Sequence, residues 1–238
     1  MAEEKLIVAL DVDSRVRAME LVNKLAGQVA LFKVGMELFY AAGPGIISDI
    51  TTVGAGVFLD LKLHDIPNTV GRAAGVLTRY GAAIINVHAA GGKDMMRAAR
   101  ESAAQEARKY GVPAPMVIAV TVLTSIDQQA FNNDIGLPGV IEDRVRDWAL
   151  LAKEAGLDGV VCSPREISLV REACGRDFKI ITPGIRPAGA ATGDQRRVMT
   201  PAEAVRAGAD YIVIGRPVTG APDPVAAARA INVEITVR

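Results

Sequence analysis

The chain has 238 residues, and its 27 Lys and Arg residues balance 27 Asp and Glu residues, so the formal net charge at pH 7 is zero. Half of the residues are hydrophobic and 23% are charged, a composition that excludes an intrinsically disordered chain. The neutral balance also argues against a protein that coats nucleic acid, because such a protein needs an excess of basic residues.

Predicted strands alternate with predicted helices along the whole chain. Runs of β-branched and other apolar residues predict strands at 5–11, 30–35, 57–63, 84–89, 115–123, 159–163, 179–184 and 211–216. Segments between them have the apolar spacing of a helix, as at Ala18, Leu21, Val22 and Leu25. Strand–helix alternation with few hairpin signals predicts a parallel sheet, and eight such units predict an α/β protein with a (β/α)8 TIM barrel.

An open doubly wound sheet is the alternative to a closed barrel. Its best sequence signal is a glycine-rich turn after the first strand, but residues 10–14 read Leu-Asp-Val-Asp-Ser. No linker or low-complexity tract divides the chain, so we expect a single barrel domain over residues 1–238.

Two predicted helix starts carry a capping box, in which a Ser or Thr precedes a Glu by three positions. They are residues 163–166 (Ser-Pro-Arg-Glu) and 200–203 (Thr-Pro-Ala-Glu), each with proline at the first helical position. The first box begins at the end of the predicted strand 159–163, and the second precedes the predicted strand 211–216.

The third predicted strand carries charged residues on one face. Residues 57–63 place leucines on one side and Asp60 and Lys62 on the other, so the charged side should point into the barrel. The same alternation directs Asp11 and Lys33 inward from the first two strands. Charges inside a barrel are costly unless they are paired or functional, and barrel active sites lie at the C-terminal ends of the strands. We therefore expect these four residues to meet at the mouth, as an active site or as a structural ion-pair network.

The last two predicted strands each end in a glycine and an arginine. Gly184 and Arg186 follow the seventh strand, and Gly215 and Arg216 follow the eighth. Many barrels bind phosphate at these two loops, where glycine lets backbone N–H groups approach the anion and arginine offers a bidentate fork. Two such pairs predict a phosphate site.

The segment 187–199 between these strands is rich in small residues and is predicted to act as a lid over the phosphate site. Gln195 within it is a candidate donor to ligand oxygens. An ordinary surface loop is the alternative interpretation.

The histidines and cysteines indicate no metal site or disulfide. His64 and His88 lack the spacing of a helical zinc motif, and Cys162 and Cys174 are too few for a disulfide framework. No apolar run approaches the ~20 residues of a membrane span, and the first residues lack the pattern of a signal peptide. These features predict a cytoplasmic protein.

Several segments resemble the orotidine 5′-monophosphate decarboxylase family. Residues 60–69 (Asp-Leu-Lys-Leu-His-Asp-Ile-Pro-Asn-Thr) are similar to its signature. The Asp-x-Lys-x-x-Asp core is shared with a wider superfamily of phosphate-binding barrels, whereas Ile-Pro-Asn-Thr is more specific. Residues 86–92, 123–125, 183–187 and 214–217 also fit in the right order. The resemblance covers essentially the whole chain.

This resemblance implies an activity and an assembly. The activity is cofactor-independent conversion of orotidine 5′-monophosphate to uridine 5′-monophosphate and CO2, the last step of de novo pyrimidine nucleotide synthesis. The assembly is a homodimer with shared active sites, without metal or organic cofactor. The neutral charge and the lack of a long apolar run predict no nucleic-acid or membrane partner. Lys33, Asp60 and Lys62 would come from one subunit and Asp65 from the other, and Lys62 would protonate C6.

The resemblance also implies the residues that bind the substrate. They are Asp11, Lys33, Ile66, Thr69, Thr124, Arg186, Gln195, Gly215 and Arg216. The first two and Thr69 of the partner subunit would hold the ribose, and Thr124 would read the pyrimidine edge. The phosphate would be held by Arg186, Gln195, Gly215 and Arg216. The adjacent Ser125 leaves the base-reading position open by one residue.

Three alternatives remain open at this point. A magnesium-dependent sugar-phosphate decarboxylase of the same superfamily would share residues 60–65 and would need an acidic metal ligand, for which Glu37 is the nearest candidate. A Schiff-base aldolase would use Lys62 or Lys33. A catalytically silent nucleotide-binding barrel would have little need for four alternating charges.

Overall fold

Eight parallel strands form a closed barrel in the computed structural model, which describes residues 5–187 and 199–236. The strands are β1 (Leu6–Ala9), β2 (Leu31–Gly35), β3 (Gly56–Leu63), β4 (Ile84–His88), β5 (Met116–Val120), β6 (Gly159–Val161), β7 (Lys179–Thr182) and β8 (Tyr211–Ile214). Each strand pairs with its neighbours in sequence, and β1 pairs with β8. The predicted (β/α)8 barrel is confirmed, and the open sheet is wrong.

Helices surround the barrel and connect successive strands. In the described ranges they are α1 (Arg15–Leu25), α2 (Met36–Ala42), α3 (Gly45–Thr52), α4 (Pro67–Arg79), α5 (Gly92–Tyr110), α6 (Gln128–Asn133), α7 (Ile141–Glu154), α8 (Ile167–Cys174), α9 (Pro201–Ala207), α10 (Arg216–Thr219) and α11 (Pro224–Thr236). Short 3₁₀ helices cover Ala89–Gly91 and Pro164–Glu166. Across the ranges that the structure describes, no helix is long and apolar enough to cross a membrane.

Both predicted capping boxes are present. Thr200 accepts from the backbone of Glu203 and opens α9, while Ser163 opens the 3₁₀ turn that leads into α8. The carboxylates close the boxes by accepting the N–H groups of Ser163 and Thr200, at 2.9 and 3.0 Å. These boxes satisfy N–H groups that a helix start otherwise leaves without partners.

The apolar residues form two layers. The larger layer lies between the strands and the helices and includes Leu59, Leu61 and Leu63 of β3. The smaller layer fills the inside of the barrel, and its buried members are Ile7, Ala9, Phe58, Ile84, Ile118, Ile181 and Val213. This division confirms the predicted alternation of inward and outward faces. It leaves the C-terminal end of the barrel interior to polar side chains.

Several strands end earlier than predicted. β1 stops at Ala9, β7 at Thr182 and β8 at Ile214, so Asp11, Gly184 and Arg216 lie beyond the strand ends. The predicted ends were wrong because alternation of side chains continues past the last ladder hydrogen bond, while the chain already turns toward the next helix. The consequence is that Asp11 and Gly184 stand on loops and Arg216 at the first position of α10, all at the mouth of the barrel, where ligands bind.

Candidate active site

A cavity of about 260 Å³ opens at the C-terminal ends of the strands. Eight of the predicted site residues line it: Asp11, Lys33, Asp60, Lys62, Thr124, Arg186, Gly215 and Arg216. Apolar side chains from β1, β3, β5 and β8 form its floor. A mostly apolar pocket with a few converging charged groups is the usual form of a site for a small molecule.

Four charged side chains alternate in sign across one wall of the cavity. Lys33 Nζ lies 3.2 Å from Asp11 Oδ1 and 3.4 Å from Asp60 Oδ2. Lys62 Nζ lies 2.7 Å from Asp60 Oδ1. Asp60 and Lys33 are 14% and 13% exposed, whereas Lys62 is 27% exposed and reaches toward the cavity. The network therefore compensates its buried charges and presents one ammonium group to a ligand.

The network favours the ionised forms of its two most buried members, Asp60 and Lys33. Burial alone would raise the pKa of Asp60, but the charges of Lys33 and Lys62 outweigh burial and lower it. Burial alone would lower the pKa of Lys33, but Asp60 and Asp11 raise it above its ordinary 10.5. The stability that ionised Asp60 contributes is thus lost only as pH falls through its lowered pKa, and that of Lys33 only as pH rises through its raised pKa. Both contributions persist at neutral pH.

The paired carboxylates are poor candidates for metal ligands. Asp11 and Asp60 are each bonded to a lysine, which competes with a cation for the same oxygens. Glu37, the acidic residue that a magnesium-dependent enzyme would need, is exposed on α2 and does not line the cavity.

The backbone of β3 is irregular where it carries the charges. Leu59 pairs with Ile85 and Leu63 with Val87, so three residues of β3 lie opposite Asn86 alone. Lys62 has a φ of 52°, and it is the one residue other than glycine with positive φ in the described ranges. This left-handed conformation costs roughly 1–2 kcal/mol. Backbone strain of this kind is found most often at functional sites.

Asn86 is part of this arrangement, although no role was predicted for it from the sequence. Its Oδ1 accepts the backbone N–H of Lys62 at 2.8 Å, and its Nδ2 donates to Asp60 Oδ1 at 2.6 Å. The side chain is 1% exposed. The available signal was an amide on the inward face of the predicted fourth strand, beside the charged third strand.

Two arginines stand together in the lining of the cavity. Burial lowers the pKa of Arg186, and the positive charge of Arg216 lowers it further, as expected for neighbouring guanidinium groups. A Cβ added to Gly215 would lie 3.3 Å from Asp11 Oδ2 and 3.4 Å from Ala9 Cβ, so a larger residue would crowd the loop. Two adjacent guanidinium groups favour binding of a multivalent anion such as a phosphate group.

The predicted lid lies almost entirely outside the described residues. Gln195 is among residues 188–198, so its position stays a prediction. The two ends of that segment are joined, because Ile185 pairs with Met199 and Arg186 N–H donates to Met199 O at 3.0 Å.

Thr124 lines the cavity and the adjacent Ser125 is not among the lining residues. This position in the cavity lining is compatible with the base-reading role that was predicted for Thr124, with Ser125 as the adjacent alternative.

Three predicted site residues are not brought to the cavity by this chain. Asp65, Ile66 and Thr69 are exposed around the start of α4 and do not line the cavity. Asp65 Oδ1 accepts its neighbour's N–H at 2.6 Å, and Ile66 is 66% exposed. This placement is the one expected if these residues serve a second subunit.

The two histidines lie side by side near the network. Their ring centroids are 5.4 Å apart, and burial lowers the pKa of His88, with His64 and Lys62 acting in the same direction. His88 is therefore held neutral at physiological pH.

The chain is similar to known proteins over nearly its full length. The model of the orotidine 5′-phosphate decarboxylase / HUMPS family matches residues 4–231. Orotidine 5′-phosphate decarboxylase of Moorella thermoacetica is 58% identical over 98% of this chain and 93% of its own, and that of Syntrophomonas wolfei is 53% identical over 98% of both chains. The crystal structure of orotidine 5′-phosphate decarboxylase from Lactobacillus acidophilus has a TM-score of 0.86 at 40% identity, covering 98% of this chain and all of that one. The chain therefore belongs to the orotidine 5′-phosphate decarboxylase / HUMPS family.

Proposed function

We propose that this protein decarboxylates orotidine 5′-monophosphate to uridine 5′-monophosphate without a metal or organic cofactor. The observation that carries the proposal is the alternating network that offers Lys62 Nζ to the cavity, which Arg186 and Arg216 also line. The Lys62 ammonium group and the two guanidinium groups match the two anionic groups of this substrate. The full-length similarity to named decarboxylases supports the same reaction.

The chemistry explains why an ammonium group is needed. When the bond from C6 to the carboxylate breaks, its electron pair stays on C6 and CO2 leaves. No neighbouring carbonyl can take up this pair, so a fixed positive charge must stabilise it. Lys62 supplies that charge and then donates a proton from Nζ to C6. The resulting neutral amine regains a proton from water after product release.

Asp60 has two proposed effects. It pairs with the Lys62 ammonium group at 2.7 Å, and it faces the carboxylate that the substrate loses. Two like charges ~4 Å apart at an effective dielectric of ~20 repel by about 4 kcal/mol. Departure of neutral CO2 removes this repulsion.

The binding contacts follow from the same placement. Asp11 and Lys33 would hold the ribose hydroxyls, and Thr124 would read the amide edge of the base. Gly215 and Arg216 with Arg186 would hold the phosphate, to which Gln195 would add a donor. Binding energy from this remote group can close the site and exclude water.

The proposed assembly is a homodimer of single-domain subunits over residues 1–238. Each Asp65, with Ile66 and Thr69, would complete the cavity of the other subunit. Their exposure, and the fact that they do not line their own cavity, support this arrangement. We place the protein in the cytoplasm. Two buried cysteines without a disulfide support that location.

Turnover of orotidine 5′-monophosphate is the direct test. We expect the orotate absorbance to fall at the same rate with and without a chelator, and uridine 5′-monophosphate to accumulate. Absence of turnover would remove the proposed reaction, and loss of activity with the chelator would restore the magnesium-dependent alternative.

Arg216→Ala should weaken binding of the phosphorylated ligand by roughly 10–100-fold, because it removes charge-assisted hydrogen bonds to the phosphate. Calorimetry with uridine 5′-monophosphate and with uridine separates the phosphate from the rest of the ligand. Arg176→Ala, at an exposed arginine before β7, is the matched control. Equal weakening of nucleotide and nucleoside would contradict the phosphate assignment.

A further inference from the structure

We propose that Asn86 is a positioning residue that aligns Asp60 and Lys62 with each other through its side-chain amide. The proposal rests on the proposed decarboxylation and adds to it a residue that contacts no reacting atom. Asp60 and Lys62 lie on one strand, and their relative geometry must be maintained against thermal motion for the reaction to proceed.

The first observation is the extra length of β3. Because three residues of β3 lie opposite Asn86 alone, the regular ladder of hydrogen bonds between β3 and β4 is interrupted there. Bulges of this kind re-aim side chains next to active sites. The N–H of Lys62 falls inside the interruption and donates to Asn86 Oδ1 at 2.8 Å. The side chain of β4 thus replaces the backbone acceptor that the bulge displaced.

The second observation is the shared oxygen of Asp60. Oδ1 accepts both from Asn86 Nδ2, at 2.6 Å, and from Lys62 Nζ, at 2.7 Å. Oδ2 faces Lys33 Nζ at 3.4 Å. Asn86 therefore holds the carboxylate at one end and the lysine backbone at the other, and the ammonium group closes the ring between them.

The orientation of the amide is fixed by its partners. A backbone N–H can only donate and a carboxylate can only accept, so one orientation of Asn86 satisfies both. The side chain is 1% exposed, which keeps water from replacing either bond. Neither Asp, which lacks the donor, nor Leu, which lacks both groups, can reproduce this pair of contacts.

The positive φ of Lys62 links its backbone contact with Asn86 to the position of its side chain. A lysine at φ 52° is held there by its surroundings, and the bond from Lys62 N–H to Asn86 is one of the contacts that holds it. Without Asn86 the backbone is free to return to negative φ, which would swing the Lys62 side chain away from Asp60. The pair would lose its alignment while the fold persisted.

The test compares Asn86→Ala and Asn86→Asp with the unmodified protein. We expect kcat for orotidine 5′-monophosphate to fall about 10²-fold, as for a misplacement of the reacting groups by ~1 Å. KM should stay within about threefold, because the ribose, base and phosphate contacts remain. Asn86→Asp has nearly the same shape as the native side chain, so it tests the donor rather than the packing.

A second readout does not depend on activity. The charged or titratable groups that face Asp60 are Lys33 from β2, Lys62 on β3 and His88 on β4. Carboxyl ¹³C NMR, with Asp60→Asn to assign the signal, should show Asp60 titrating at higher pH in both Asn86 variants. The upward shift should be larger in Asn86→Asp, where a second carboxylate lies beside the first. A purely structural role would leave this titration unmoved.

Asn232→Ala is the matched control. Asn232 lies on α11, is also a buried amide, and donates to Gln28 O at 2.8 Å. This substitution should lower thermal stability without changing kcat. Folded Asn86 variants with unchanged kcat, or with lowered kcat but an unmoved Asp60 titration, would overturn the proposal. If the unmodified protein did not turn over the nucleotide, the proposed function would fail, while the Asp60 titration would still decide whether Asn86 positions the pair.

Discussion

Lys62→Ala is expected to lower turnover of orotidine 5′-monophosphate by about 10⁴-fold or more, because one side chain supplies both the stabilising charge and the proton. The barrel should remain folded, since Asp60 keeps its contacts with Lys33 and Asn86. Single-turnover absorbance measurements give the rate, and circular dichroism and gel filtration give the state of the protein. Because the phosphate contacts are untouched, nucleotide binding should survive the substitution.

The matched control is Lys93→Ala, which removes an exposed lysine of α5 that pairs with Glu154 at 3.0 Å. Exposed pairs of this kind contribute ~1 kcal/mol or less, so activity and stability should be nearly unchanged. A folded Lys62→Ala protein that retained substantial turnover would remove Lys62 as the acid. Trapping of Lys62 or Lys33 with borohydride in the presence of substrate would instead indicate a Schiff base.

Mixing two inactive variants should restore activity if the active sites are shared. Asp65→Asn and Lys62→Ala each damage both sites of their own homodimer. In a heterodimer, one site receives an intact Lys62 and an intact Asp65, while the other site receives neither. Random exchange at equal concentrations should therefore recover about one quarter of the unmodified activity, since half of the dimers carry one good site.

The design has an internal comparison. Mixing Lys62→Ala with Asp60→Asn should recover nothing, because these two residues lie 2.7 Å apart in the same subunit and every site lacks one of them. Exchange is checked by tagging one variant and measuring co-purification of the other. If the subunits exchange and the first mixture still shows no recovery, Asp65 does not act across the interface.

Much of the fold was predictable because its pattern is local. Alternation in β3 assigns Leu59 to the outer layer and Asp60 to the interior, and both lie there. The capping box at Thr200 is likewise a short-range pattern and is present. The strand ends were less predictable, because the last ladder bond depends on the neighbouring strand, and side-chain alternation carries no signal of it.

The site was predictable to the extent that its residues lie near or just after the C-terminal ends of strands. The Asp60 and Lys62 pair and the two arginines were found by their positions, and the cavity contains them all. Gln195 and residues 188–198 stay predictions, because they lie outside the described residues. Asp65 was assigned to the partner subunit from resemblance, and its exposure within one chain agrees with that assignment without testing it.

The sequence by itself determined the barrel, the inward face of each strand and the types of charge at the mouth, because side-chain alternation and capping are set by residues a few positions apart. Only the tertiary structure decided the alignment of Asp60 with Lys62. That alignment depends on a bulge, on a left-handed Lys62 and on Asn86 from the neighbouring strand. Contacts between strands are set by the register of the closed barrel, and no short-range pattern in the chain specifies where that register shifts.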